Sequence, residues 1–232
     1  MTSAIQNRTV AIVGLGYVGL PLALAFGRVM HTIGFDINTD KINAYQQGID
    51  PTGEMTQDLF AAANHIQFTD QPQALAQADF IITAVPTPIS NAKLPDLSPV
   101  ESASRLIAQH MADGATVIFE STVYPGVTEE VCEPILRASG KHFRLGYSPE
   151  RINPGDKQRP LASIVKIVAG QDEATLADVS ALYQLIITAG VHEASSIKVA
   201  EAAKILENTQ RDVNIALMNE FALICQRAGI DT

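Results

Sequence analysis

The chain has 232 residues, 47% of them hydrophobic, which is enough to bury a sizeable core in one large α/β domain, alone or with the beginning of a second. A net charge of −9 without any dense cluster of Lys and Arg weighs against a protein that binds the phosphate backbone of nucleic acid. No apolar segment reaches the roughly 20 residues that span a bilayer, and the start MTSAIQNRTV lacks a signal-peptide pattern. We therefore expect a cytoplasmic protein without membrane contact.

Segments of strand length alternate with amphipathic helical stretches, which is the pattern of a parallel sheet covered by helices on both faces. We predict an α/β fold with a Rossmann-like, doubly wound parallel sheet. The predicted strands are Val10–Gly14, Thr32–Asp36, Ile66–Thr69, Phe80–Val85, Thr116–Glu120, Arg144–Tyr147 and Ile164–Ala169. Leu20–Met30 is predicted to be a helix, a capping box with proline at the first helical position predicts another from Ser98, and Asp172 precedes a third.

The first predicted strand runs directly into the motif Gly14-Leu15-Gly16-Tyr17-Val18-Gly19, and a helix follows. Gly14 permits a tight turn, Gly16 lets the backbone approach a pyrophosphate, and Gly19 allows close packing of helix on strand. We expect Tyr17 and Val18 to lie against the same ligand. The motif predicts a dinucleotide cofactor, because peptide N–H groups at a helix N-terminus hold phosphates.

An acidic residue, Asp36, ends the second predicted strand, 22 residues beyond Gly14. A carboxylate there accepts hydrogen bonds from the adenosine ribose and repels a 2′-phosphate, so the sequence predicts NAD rather than NADP. Lys41 opens the next helix and either reaches the ribose or phosphate of the cofactor or is simply solvated. Asn38 and Asp40 are expected to be cap or turn residues.

Three later loops begin where predicted strands end, and in an open parallel sheet the ligand lies at that edge. The loops are Pro86-Thr87-Pro88, Ser121-Thr122-Val123-Tyr124-Pro125-Gly126 and Ser148-Pro149-Glu150-Arg151-Ile152-Asn153-Pro154-Gly155. Each combines prolines, which stiffen the backbone, with hydroxyl or charged side chains. One such loop would be ordinary, but three at the edge to which the glycine motif points predict a single ligand site.

A stretch without proline or glycine runs from about Ser196 to Ala228 and predicts one long helix of about 45 Å. We expect it to leave an NAD-binding domain at residues 1–195 and to begin a helical dimerisation domain at 196–232. Its apolar residues form what we call the helix stripe: Val199, Ala203, Leu206, Val213, Leu217, Phe221 and Ile224. The helix stripe predicts a homodimer, or else packing against another part of the same chain. Lys204, Asn208 and Asp212 share one face, which by spacing alone would be a solvated face.

The two cysteines, Cys132 and Cys225, lie far apart in helix-like surroundings and form no Cys-x-x-Cys pair. This arrangement predicts no metal site. Both residues are expected to be buried thiols without a chemical role.

Five motifs, in order along essentially the whole chain, resemble those of the UDP-glucose/GDP-mannose dehydrogenase family. They are the glycine motif, Val85-Pro86-Thr87-Pro88, the segment from Glu120 to Gly126, Ser148-Pro149-Glu150-Arg151, and Lys204 with Asn208. The form Ser-Pro-Glu-Arg-Ile-Asn-Pro-Gly is similar to the branch that acts on UDP-N-acetylhexosamines. The resemblance implies oxidation of a sugar C6 hydroxyl to a carboxylate with two NAD per turnover, in the synthesis of surface polysaccharide precursors.

The resemblance also implies roles for individual residues. Lys204 and Asn208 would take the proton and hold the oxyanion as the hydride leaves C6. Thr122 would position a water, and Glu150 would assist as a base when a thioester is hydrolysed. The nicotinamide side of the cleft would be lined by Val85, Pro86, Thr87, Ser121 and Thr122.

Members of the family carry a nucleophilic cysteine in a Gly-Phe-Gly-Gly-x-Cys-type motif after the long helix, and a UDP-binding domain follows it. Neither Cys132 nor Cys225 has that context, and the chain ends at Thr232 before such a motif. From the resemblance we therefore expect a shortened chain that binds NAD but turns over almost no substrate.

Three alternatives stay open at this point. The substrate could be UDP-glucose or UDP-N-acetylmannosamine. The chain could be a non-catalytic module that binds NAD and self-associates. A dehydrogenase of the 3-hydroxyacid or 6-phosphogluconate type shares the dinucleotide-binding start and a long interdomain helix, but it explains the Val-Pro-Thr-Pro and Ser-Pro-Glu-Arg segments less well.

Overall fold

A computed structural model describes residues 5–90, 92–151 and 161–231 of the protein, so the Ile-Asn-Pro-Gly part of the third predicted loop lies outside the described residues. The strands are β1 (Val10–Val13), β2 (Thr32–Phe35), β3 (Ile66–Thr69), β4 (Phe80–Thr83), β5 (Ala115–Phe119), β6 (Phe143–Tyr147), β7 (Lys166–Gly170) and β8 (Val191–Glu193). They form one sheet in the order β3-β2-β1-β4-β5-β6-β7-β8. All seven predicted strands exist with ends shifted by at most two residues, whereas β8 was not predicted.

Helices pack on both faces of this sheet. They are α1 (Gly19–Gly27), α2 (Thr39–Gln46), α3 (Gln57–Ala62), α4 (Ser98–His110), α5 (Glu133–Arg137), α6 (Glu173–Gln184) and α7 (Ile197–Ala228). A π-helical turn, Thr128–Cys132, leads directly into α5, and 3₁₀ turns lie at Pro72–Gln77 and Leu161–Ser163. The predicted doubly wound α/β architecture is confirmed.

Alternate residues of the central strands enter two separate cores, because successive side chains of a strand point to opposite faces. Ala11 and Val13 of β1 pack in one core with residues of α4 and the start of α7. Val10 and Ile12 pack in the other core with residues of α1, α2 and α6. Burial on both faces explains why these strands read as continuous apolar runs.

Two predicted helix caps are confirmed, and the helix predicted from Ser98 begins there but without its predicted capping box. Asp172 caps α6 by accepting a hydrogen bond of 2.7 Å from the peptide nitrogen of Thr175, and Asn38 caps α2 in the same way. The capping box predicted at Ser98 does not form. Ser98 is already the first residue of α4, and Oδ1 of Asp96 accepts a hydrogen bond of 2.9 Å from its peptide nitrogen. Asp96, rather than Ser98, thus supplies the side-chain acceptor at the start of α4.

The far end of the sheet departs from the predicted parallel arrangement. Strands β1 to β6 are parallel, but β7 is antiparallel to β6, with Tyr147 opposite Ala169 and Gly146 opposite Gly170. β8 is parallel to β7. Because β7 runs the opposite way, its first residue, Lys166, lies at the edge where β1 to β6 end.

The long helix α7 is confirmed almost to the residue. The hydroxyl of Ser196 caps it by accepting a hydrogen bond from the peptide nitrogen of Val199, and Gly229 ends it with φ of +69°. Its first two turns pack on the sheet, where Ile197, Ala200 and Glu201 are buried. The remainder extends away from the sheet.

The apolar surface of α7 is wider than the helix stripe predicted from the sequence. All members of the helix stripe except Ala203 are exposed. Ile215, Met218 and Leu223, which lie outside the stripe, are exposed as well. A helix that is apolar around most of its circumference is typical of one that is covered by other structure.

The two cysteines differ in their surroundings. Cys132 is buried, and this burial raises the pKa of its thiol to about 11. Cys225 is only half-buried on the extended part of α7, so the prediction of a buried thiol is wrong there. Among the residues that the structure describes, no helix is long and apolar enough to cross a membrane.

Candidate functional site

The candidate site lies where the strand order changes direction. From β1 the sheet continues through β2 and β3 on one side and through β4, β5 and β6 on the other. The loops that follow β1 and β4 therefore diverge and leave a crevice outside the carboxyl ends of these strands. Crevices of this kind hold ligands in open α/β sheets.

The three positions after β1 require or allow glycine for different structural reasons. Gly14 has φ of +92°, and a Cβ on it would lie 3.0 Å from Cγ1 of Val85. A Cβ on Gly19 would lie 1.8 Å from the carbonyl oxygen of Gly14, so no side chain fits there. A Cβ on Gly16 would meet nothing within 4 Å. Packing thus explains Gly14 and Gly19, whereas Gly16 leaves open space near the N-terminus of α1, where peptide N–H groups can hold a phosphate.

The acid at the end of β2 is joined to this turn. The peptide nitrogen of Leu15 donates a hydrogen bond of 2.9 Å to Oδ2 of Asp36, and the peptide nitrogen of Asn38 donates one of 2.9 Å to Oδ1. The Tyr45 hydroxyl donates to the carbonyl oxygen of Leu15 at 2.9 Å. Burial, with Asp50 and Asp36 nearby, raises the pKa of Tyr45 to about 12, so its hydroxyl remains a donor.

A shallow recess continues from the turn toward α2 and the loop after it. Gly16, Tyr17, Lys41 and Asp50 are among its lining residues. Asp50 accepts hydrogen bonds from the peptide nitrogens of the next residues, including one of 2.9 Å from Met55. Burial would raise the pKa of Asp50, but these N–H donors outweigh it and hold the pKa below its usual value. This loop was not predicted from the sequence, although Asp-Pro-Thr-Gly is a turn signal.

The loops after β4, β5 and β6 are tied to one another. The Ser121 hydroxyl donates a hydrogen bond of 2.7 Å to the carbonyl oxygen of Val85, and the Tyr147 hydroxyl donates one of 3.2 Å to the carbonyl oxygen of Ser121. Thr87 and Thr122 are half-buried, and Pro86 is exposed. The Thr87 hydroxyl is buried without a hydrogen-bond partner among the described residues.

A buried acid on α7 fixes the end of the loop after β5. Glu201 is fully buried, and its two carboxylate oxygens accept hydrogen bonds from the peptide nitrogens of Gly126, at 2.6 Å, and Thr128, at 3.0 Å. Gly126 has φ of +101°, which favours glycine. Glu201 was not predicted to have a role, since a single Glu on a long helix carries no signal of burial.

Ionisable side chains from five parts of the chain meet behind the loops, in what we call the buried charge cluster: Glu120, Glu150, Lys166, Tyr183 and Lys204. Nζ of Lys166 lies 3.0 Å from Oε2 of Glu120 and 3.5 Å from Oε2 of Glu150. The Tyr183 hydroxyl donates to Oε1 of Glu120. Lys166 and Tyr183 were not singled out from the sequence, and Glu120 was named in a motif without a role.

Lys204 lies at the margin of the buried charge cluster. Burial lowers the pKa of its ammonium group, and the nearby carboxylates of Glu207 and Glu150 only partly offset this effect. Asn208 is half-buried one turn further along α7. Arg151 joins the loop after β6 to the same helix through an ion pair of 3.0 Å with Glu207. The solvated face considered from spacing alone is therefore wrong for Lys204, which is 8% exposed.

Comparisons with known proteins agree with this architecture. Residues 8–187 match the model of the UDP-glucose/GDP-mannose dehydrogenase family NAD binding domain, and residues 198–232 match that of the family's central domain. The chain is 53% identical over 98% of its length to a UDP-N-acetyl-D-glucosamine 6-dehydrogenase of Pseudomonas aeruginosa, of which it covers 55%. It is 52% identical over 98% of its length to protein CapL of Staphylococcus aureus and covers 54% of that protein.

A solved structure shares the fold closely. The UDP-D-ManNAc dehydrogenase of Pyrococcus horikoshii superimposes with a TM-score of 0.87 at 34% identity, over 96% of this chain and 55% of that one. The chain thus spans about half the length of the relatives that it matches. The match over residues 8–187 decides against the 3-hydroxyacid or 6-phosphogluconate type of dehydrogenase.

Proposed function

Because the chain belongs to the UDP-glucose/GDP-mannose dehydrogenase family, we propose that it supplies the NAD-binding part of an enzyme that oxidises the C6 hydroxyl of a UDP-N-acetylhexosamine to the uronate. The observation that carries this proposal is the 53% identity to the UDP-N-acetyl-D-glucosamine 6-dehydrogenase of Pseudomonas aeruginosa. Identity to the UDP-N-acetyl-D-mannosamine dehydrogenases is lower, at 33% for that of Yersinia pestis. UDP-N-acetylglucosamine is therefore the favoured substrate.

The cofactor would lie across the crevice at the carboxyl edge of the sheet. The pyrophosphate would lie on the segment from Gly14 to Gly19, with Tyr17 and Val18 beside it and Asp36 and Lys41 toward the adenosine ribose. The nicotinamide side would be lined by Val85, Pro86, Thr87, Ser121 and Thr122. When bound there, NAD would accept the hydride from the sugar carbon.

Lys204 and Asn208 would act on the sugar hydroxyl. An ammonium whose pKa is lowered by burial gives up its proton more readily, so the amine form of Lys204 can accept the hydroxyl proton. Once protonated, Lys204 can hold the developing negative charge together with the amide of Asn208. Glu150 would be the base in the later hydrolytic step, with Thr122 positioning the water.

The second part of the proposal concerns α7 and the domain boundary. The interval between the two family matches, after residue 187 and before residue 198, supports a division into residues 1–195 and 196–232. The exposed apolar residues of α7 support a homodimer formed through this helix.

A chimera tests the substrate assignment. The matching half of the Pseudomonas aeruginosa relative would be replaced by this chain, and reduced cofactor would be followed by absorbance with UDP-N-acetylglucosamine, UDP-N-acetylmannosamine or UDP-glucose. We expect turnover that is fastest with UDP-N-acetylglucosamine and is lost in the same chimera carrying Lys204→Met. A folded chimera that binds NAD but oxidises none of the three sugars would favour the alternative of a non-catalytic, self-associating NAD-binding module.

A further inference from the structure

Lys166, inside the buried charge cluster, forms ion pairs with two carboxylates. The side chain of Lys166 is 2% exposed, that of Glu120 is 0% exposed and that of Glu150 is 9% exposed. Lys166 forms the shorter contact with Glu120, at 3.0 Å, and the longer one with Glu150, at 3.5 Å. An ammonium group has three N–H donors, so it can hold both acids at once.

Glu120 is held from a second side. The Tyr183 hydroxyl donates to its other carboxylate oxygen, and the same ring lies under Lys166, with 5.4 Å from Nζ to the ring centroid. Both oxygens of Glu120 are therefore occupied. Glu120, Lys166 and Tyr183, each from a different element, form a compact unit that we call the support triad.

Lys166 connects the support triad to Glu150. Glu150 is the more exposed of the two acids, and it lies in the loop that follows β6 at the edge of the crevice. A buried ion pair does not by itself stabilise a fold compared with apolar residues. The buried ammonium is better explained by its second carboxylate, Glu150, with which it forms an ion pair.

Charged and titratable groups surround Glu150 from several elements: Lys166 on β7, Glu120 after β5, Tyr183 on α6 and Lys204 on α7. Burial would lower the pKa of Lys166, but Glu120 and Glu150 outweigh burial and raise it, so this side chain stays protonated. Its charge favours the ionised form of Glu150, which is the form that can act as a base.

We propose that Lys166 is a positioning residue, held in place by Glu120 and Tyr183, which keeps the carboxylate of Glu150 ionised and directed into the active site. This inference rests on the proposed function, because that function gives Glu150 its role as a base. The contacts of Lys166 that carry this inference are those with Glu120, Glu150 and the Tyr183 ring.

The test compares Lys166→Met, which removes the charge, with Lys166→Arg, which keeps it. The Glu150 carboxyl is titrated by carbon NMR of the full 232-residue chain, and its signal is assigned by its loss in Glu150→Gln. We expect Lys166→Met to raise the midpoint of Glu150 by about one pH unit or more, a tenfold gain in proton affinity, and Lys166→Arg to restore most of the original value. Lys198→Met, which removes an exposed lysine paired with Glu130, should leave the midpoint unchanged.

NAD affinity, measured on the same samples, separates this inference from the proposed function. We expect Lys166→Met to bind NAD within about twofold of the unaltered chain, because the Lys166 side chain is 2% exposed and pairs with two carboxylates. An unchanged Glu150 midpoint in folded Lys166→Met would overturn the inference alone. Failure of the unaltered chain to bind NAD would overturn the proposed function. If Lys166→Met does not fold, Lys166→Gln, which also removes the charge but keeps an N–H donor for Glu120, takes its place, and an unchanged Glu150 midpoint in that variant would overturn the inference as well.

Discussion

Asp36 accepts a hydrogen bond of 2.9 Å from the peptide nitrogen of Leu15, so the acid at the end of β2 is bound directly to the glycine turn after β1. The contact places the carboxylate beside the turn before any ligand arrives. The two features that predict NAD in the sequence are therefore one structural unit. A substitution at Asp36 changes both the ligand contact and the conformation of the turn.

Substitution of Asp36 by asparagine should separate these two effects. The Asp36→Asn variant keeps an oxygen that can accept the Leu15 N–H, but it loses the charge and the acceptor for the Asn38 N–H. We therefore expect NAD affinity to fall by about tenfold and the preference for NAD over NADP to narrow. Asp36→Ala should lose more, because the turn loses its partner as well. Calorimetric titration measures both affinities. Asp40→Asn, an exposed acid at the start of α2, is the control, and equal affinities in Asp36→Asn and Asp40→Asn would contradict the assignment.

Glu201 should stabilise the fold through the loop after β5. Glu201→Ala leaves the peptide N–H groups of Gly126 and Thr128 buried without a partner, so we expect the free energy of unfolding to fall by about 2 to 4 kcal/mol. Glu201→Gln keeps one acceptor oxygen and should lose less. Urea unfolding gives the values. Lys198→Ala, on an exposed part of the same helix, should leave the midpoint nearly unchanged, and an equally small effect of Glu201→Ala would show that the buried contacts do not stabilise the chain.

The stability of the chain should decrease with pH through Glu120. Burial, offset in part by Lys166 and reinforced by Glu150, raises the pKa of Glu120 to about 7 from an ordinary value of 4.5. Between these values the folded chain holds a proton that the unfolded chain releases, so this group makes stability fall as the pH rises from about 4.5 to 7.

Urea unfolding across that pH range tests this prediction. Glu120→Gln cannot ionise, so the fall attributed to Glu120 should be absent in the variant. Glu173→Gln changes an exposed acid in the first turn of α6 and should keep the slope of the unaltered chain. The same slope in Glu120→Gln as in the unaltered chain would disprove the assignment.

The exposed apolar surface of α7 should hold two copies of the chain together. Leu217→Glu combined with Phe221→Glu places two charges on the helix stripe, and we expect this variant to sediment as a monomer where the unaltered chain sediments as a dimer. Asn64→Glu adds a charge at an exposed residue just after α3, away from α7, and should remain dimeric. Sedimentation velocity distinguishes the two states. A monomeric unaltered chain at high protein concentration would rule out the homodimer.

The sequence predicts the local features of this molecule better than its long-range ones. The strands, the long helix and the glycine turn depend on hydrophobic periodicity and on glycine spacing, which are visible within a short window. The direction of β7 depends on how it pairs with β6, and a strand of the same residues can run either way. Lys166 could therefore not be placed near Glu120 and Glu150 without the structure.

Short elements and buried acids were missed for related reasons. β8 has three residues, of which two are His192 and Glu193, so it carries no apolar alternation. Glu201 and Glu120 resemble surface acids in the sequence, because their burial is decided by partners 75 and 46 residues away. Burial of these groups can be read only from tertiary packing.

Binding of NAD to the folded chain tests the central claim most directly. Calorimetric titrations with NAD and NADP would be run on the unaltered chain and on Gly16→Ala, whose added methyl group meets no protein atom but enters the proposed pyrophosphate space. We predict that the unaltered chain binds NAD at least about tenfold more tightly than NADP, and that Gly16→Ala melts at the same temperature without measurable binding. No heat at millimolar NAD, or equal NAD binding by the folded Gly16→Ala variant, would contradict the account.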